Sequence, residues 1–178
     1  MPRNQPTRLP PAELQSLLVH WTMVADGARM PRKEDFRVRS LAAWRDNVAI
    51  ISPAAYGDPR RYHFRLVGAA LHERFGRDMM LKNLCDVDGV LRGPLRILLM
   101  GARMNCAPTI ARAEVAGARA EVTNVTWCDM ALPLYEGEMP GGWIIFASYV
   151  EKDAVTFPPP FTGEDARSSR AGGGCVAV

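Results

Sequence analysis

The chain has 178 residues, 48% of them apolar and 23% charged, with a formal net charge of +3. Such a composition describes one folded domain with room for a proper core and excludes disordered and collagenous chains. The mild charge and scattered arginines exclude a dense nucleic-acid footprint, and no apolar run approaches the roughly 20 residues a membrane-spanning helix needs.

In chain order, residues 1–11 are rich in proline and polar groups and read as a flexible tail. That tail has no apolar run of signal-peptide length, so cytoplasmic residence is the expectation. Residues 12–28 then place Leu14, Leu17, Leu18 and Trp21 at helical spacing, with Gly27 at the end. A helix of this length is not stable alone, so its apolar stripe must pack on a sheet, on another helix or on a second copy. A short helical turn over Val38 to Trp44 follows.

Val48 to Ser52 and Tyr62 to Val67 read as strands joined by the Tyr-Gly-Asp-Pro turn at 56–59. Gly68 closes the second strand, Ala69 to Phe75 reads as a short helix ended by Gly76, and Gly89 to Asn105 as a longer helix with Pro94 near its start. The remainder is β-structure over Pro108 to Val115, Glu121 to Leu134 and Trp143 to Lys152, with turns at Gly117 and at 137–142. Residues 157–178, opening on Phe-Pro-Pro-Pro-Phe, read as a second flexible tail around a domain at 12–156. Helices inserted between the second and third strands of an antiparallel sheet define an α+β domain.

Motifs of catalysis are missing: there is no Gly-x-Ser-x-Gly, no His-Glu-x-x-His and no phosphate-cradling glycine loop. Cys85, Cys106, Cys128 and Cys175 form no Cys-x-x-Cys pair, and the first three are expected as core thiols. Asp86 and Asp88 stand two apart before Gly89 but lack the other oxygen ligands of a calcium loop, so a solvated loop is expected and no metal site. Among strand acids, Asp129 and Glu114 are the candidates for a general base, and both are expected at the surface.

Four blocks taken together are similar to a known family. Arg29-Met-Pro-Arg-Lys-Glu-Asp, Tyr62-His-Phe-Arg-Leu-Val-Gly-Ala-Ala-Leu, Glu73-Arg-Phe-Gly-Arg-Asp and Ala131-Leu-Pro-Leu resemble the proteobacterial single-domain PAS proteins once classed as of unknown function, the PAS_5 family, over residues 14–152. The resemblance implies a PAS fold: a five-stranded antiparallel sheet of order 2-1-5-4-3, short helices over one face, and an N-terminal helix that covers the other face or makes a dimer. It implies a sensory or adaptor module and not an enzyme, acting through a protein partner in bacterial signalling.

Within that fold Phe64, Leu66, Leu71, Phe75, Leu95, Leu98, Trp127 and Trp143 either wall a pocket for a small apolar ligand or fill the core outright. His72, on the short helix after the second strand, is the best placed of His20, His63 and His72 to face such a pocket, with a partly exposed polar position as the plainer reading. Arg65 is the polar residue singled out, either anchoring a ligand carboxylate or phosphate, or tied to Glu73 or Asp78. Leu14, Leu17, Leu18 and Trp21 are the expected homodimer seam. No Asn-Cys-Arg motif lies near Phe75 for covalent flavin chemistry, haem is not expected, and the ligand stays open. Two other readings remain: an interaction module with a filled core and no ligand, and a small enzyme on a cone-like α+β fold.

Overall fold

The structure, a computed structural model, describes residues 9–53, 62–115 and 125–151, with the side chains of Val38, Pro53, Glu114 and Val115 outside that set. Most of the two expected tails, the 56–59 turn, Gly117, residues 121–124, Lys152 and Cys175 also lie outside the described residues. Helix α1 spans Ala12–Ala25 and is followed by two 3₁₀ segments, Lys33–Asp35 and Val38–Asn47. Strands β1 (Val48–Pro53) and β2 (Tyr62–Val67) come next, then helices α2 (Ala69–Phe75) and α3 (Gly89–Asn105). A 3₁₀ turn at Leu84–Asp86 separates those helices, and β3 (Thr109–Val115), β4 (Val125–Glu136) and β5 (Met139–Glu151) complete the chain.

The strands form one five-stranded sheet in the order β2-β1-β5-β4-β3, every neighbouring pair antiparallel. The fold is therefore α+β, with the helices of the middle of the chain inserted between β2 and β3. Both faces of the sheet are covered. Ala49, Ile51, Tyr62, Phe64, Ala131, Ile144 and Phe146 face α2 and α3, and pack with Leu71, Phe75, Leu95, Leu98 and Leu99 from those helices. The alternating residues Val48, Cys128, Met130, Leu132, Ile145 and Ala147 face α1. Burial on both sides explains why β4 and β5 read as nearly continuous apolar runs instead of alternating ones.

Helix α1 resolves the choice left by its sequence. Leu14 and Leu17 are fully buried and Trp21 almost so, all against the sheet, and the Trp21 indole N–H donates to the Pro133 carbonyl at 3.1 Å. Leu18 is half-buried beside them. The stripe assigned above to a homodimer is thus consumed within the chain, because an apolar sheet face of matching width lies next to it. Asp26 and Gly27, at φ 45° and 80°, end the helix in left-handed geometry.

The link from β2 into α2 depends on Gly68. Its N–H bonds the Val48 carbonyl at 2.9 Å, and a Cβ there would stand 2.2 Å from the Arg45 carbonyl oxygen. Close backbone approach therefore requires glycine at this point. Helix α3 starts where the Asp88 side chain accepts the Val90 N–H at 2.9 Å, and the neighbouring Asp86 carboxylate accepts the Asn83 N–H at 2.9 Å. The two acids read above as a solvated loop are capping groups. The β4–β5 turn is also tighter than the expected 137–142 gap: pairing continues to Glu136 and Met139, with Gly137 at φ 57°.

Candidate functional site

Five of the expected pocket residues meet. Phe64, Leu71, Phe75, Leu95 and Leu98 lie together between the sheet and α2/α3, none more than 7% exposed, and the Phe64 and Phe75 rings touch edge to face at 5.7 Å. These side chains occupy the compartment by packing on one another. Tyr62 is fully buried among them; burial raises its pKa while Arg103 pulls it the other way, yet no hydrogen bond of normal geometry satisfies its hydroxyl among the described residues.

The other expected site residues disperse. Leu66 is half-buried opposite Ile50, on the α1 side of the sheet, beyond an irregularity in the β1–β2 register. Trp143 is half-buried on that same side, with the Lys33 ammonium 3.8 Å from its ring centre. His72 is half-buried at the end of α2, where its Nδ1 accepts the Met79 N–H at 3.4 Å and lies 3.3 Å from Asp78. Its role there is to fold the turn after α2.

Arg65 alternates out from the buried Phe64, is exposed, and donates from Nε to the Ser52 hydroxyl at 2.8 Å. Neither Glu73 nor Asp78 meets it. The buried arginine is Arg74, one turn from Leu71 on α2. Its side chain is 5% exposed, and its guanidinium bonds both carboxylate oxygens of Asp129, with Nη2 to Oδ2 at 2.8 Å, and the hydroxyl of Ser148. The same guanidinium stands 4.7 Å over the half-buried Trp127 ring. Asp129, expected at the surface, is in fact 5% exposed. It points toward α2 because Cys128 and Met130 take the α1 side, and Arg74 is what makes that burial tolerable. The side chain of Glu114 lies outside the described residues.

Two signals in the sequence point to this pair: helical spacing from Leu71 sets Arg74 beside Phe75 on the inward face, and Asp129 interrupts an otherwise apolar run. Both oxygens of this carboxylate are engaged by the guanidinium, so neither is free to take a proton from a substrate. The arrangement therefore locks α2 to β4 and β5 and does not suit proton transfer.

This locked pair backs a groove of about 750 Å³, lined by Pro11 and Glu13 at the start of α1, Asn47, Ala70 and Glu73 on α2, Trp127, and Tyr149 to Glu151 at the end of β5. Glu13 and Glu73 are exposed and have no ion-pair partner among the described residues. Glu151 is buried and bonded by Arg112 at 2.7 Å. Tyr149 registers the negative field: burial first, then Glu13 and Asp46, push its phenol up to about 12. Among the cysteines, Cys128 is fully buried and pushed to about 11 by desolvation, Cys106 is half-buried, and Cys85 is exposed instead of lying in the core. Among the described residues no group of three or more His, Cys, Asp or Glu side chains is arranged to hold a metal, and no helix is long and apolar enough to cross a membrane.

No protein-family model matches the chain, and no curated protein matches it.

Proposed function

We propose that this chain is a PAS-type adaptor that acts by binding a protein partner in signalling, without a chemical step of its own. The observation that carries the reading is the combination of sheet order 2-1-5-4-3 with helices inserted between β2 and β3, over a compartment already packed by Phe64, Leu71, Phe75, Leu95 and Leu98. A packed compartment directs recognition to the outer surface. The ion-paired state of Asp129 argues in the same direction, since it withdraws this buried carboxylate from general-base work.

A second reading, a sensor with a small ligand inside the compartment, draws support from the buried Tyr62 hydroxyl, which has Arg103 nearby but no hydrogen bond of normal geometry, because a buried polar group usually finds a partner. A visible absorption spectrum of freshly purified protein separates the two for coloured ligands. The adaptor reading expects no band above the tryptophan region; a haem or flavin band would overturn it in favour of the sensor.

A further inference from the structure

We propose that the groove between the start of α1 and α2 docks an extended, basic peptide segment of a partner, added as a strand against the end of β5. The inference gives the adaptor reading its partner class and rests on it. β5 outruns its neighbour: β1 begins at Val48 opposite Ala147, whereas β5 continues to Glu151. Among the described residues no strand pairs with that side of Ser148 to Val150. The Ser148 carbonyl points to the vacant side, where the Asn47 side chain donates to it at 2.9 Å. Strand alternation then turns the N–H and C=O of Val150 the same way, toward the groove that Val150 lines. An unpaired edge of this kind is where an incoming strand forms its main-chain hydrogen bonds.

Charge sets the class of peptide. Arg74 is neutralised by Asp129, and Glu151 is held by Arg112, which leaves Glu13 and Glu73 as the uncompensated charges of the lining. A peptide residue bonded to Val150 shares the α2 face with it and is directed toward Glu73, while its two neighbours both turn to the α1 face, toward Glu13. Arginine or lysine meets both glutamates, with Trp127 and Tyr149 beside them to cover the aliphatic stems.

The test is fluorescence anisotropy of the full chain with labelled acetyl-Val-Arg-Arg-Arg-Val-amide at physiological salt. Saturable binding is expected, weakened about tenfold by the joint change Glu13→Gln and Glu73→Gln and abolished by N-methylation of the central arginine. Both glutamates are exposed, so circular dichroism and melting of the double variant should match the parent. Binding indifferent to N-methylation, binding indifferent to the glutamates, or no binding at all would each overturn the proposal. Those failures leave the adaptor reading in place, which falls only to a ligand retained inside the compartment.

Discussion

Arg74 puts a guanidinium at 5% exposure against a carboxylate at 7%, and the consequence is an asymmetric mutational response. Arg74→Met leaves Asp129 buried and uncompensated, and is expected to lower stability by about 3–5 kcal/mol; joining it with Asp129→Leu should restore much of that loss. Urea denaturation of the two singles and the double measures it, and purely additive losses would refute a coupled pair. Alkaline pH probes a second set of buried groups. Folding raises Cys128 from 9.0 to about 11 and Tyr149 from 10.0 to about 12, so the unfolded chain releases these protons first. Their contribution is present below about pH 9 and is lost as pH climbs through about 11 to 12. The urea midpoint, followed from neutral pH upward, should fall across that window. Iodoacetamide at mildly alkaline pH should label exposed Cys85 well before Cys128. At this scale the sequence was only partly legible. Phe64, Leu71, Phe75, Leu95 and Leu98 declared themselves as core through their spacing, whereas Arg65 drew attention because it sits mid-strand and Arg74 did not, although alternation beside Phe64 turns Arg65 outward and helical geometry turns Arg74 in.

At the scale of elements, α2 begins and ends where Gly68 and Gly76 suggest, α3 has the Gly89 to Asn105 bounds of its apolar spacing, and β2 has the bounds its alternation implies. Local signals suffice there because capping groups and glycines act over one turn. They fail for the 3₁₀ stretch at Lys33–Asp35 and for the β4–β5 turn, where long-range pairing with the sheet decides the path. The joint at Gly68 offers a sharp check: Gly68→Ala drives a methyl group into the Arg45 and Asp46 backbone carbonyls and is expected to destabilise by about 3 kcal/mol in a thermal melt. Unchanged melting would mean that α2 does not sit this close to the start of β1. In α1, Leu17→Ala should cost about 2–5 kcal/mol because Leu17 is fully buried on the sheet; a helix free to serve a dimer instead would lose far less.

For the whole molecule, composition and periodicity supply the α+β class and the number of strands, while the order 2-1-5-4-3 comes from pairing between residues far apart in sequence, such as Ala49 with Phe146. No local pattern encodes that pairing; only the resemblance to PAS proteins implied it. The groove was illegible for the same reason, since Glu13, Asn47, Glu73 and Tyr149 become neighbours only once α1, α2 and β5 are assembled. The central claim is an adaptor whose compartment between sheet and helices is filled by its own side chains. Native mass spectrometry of freshly purified full-length protein tests it most directly, because it detects coloured and colourless ligands alike. The account predicts masses that are whole multiples of the bare chain. A small molecule that copurifies in stoichiometric amount, and leaves when Leu71 is enlarged to Trp, would contradict it.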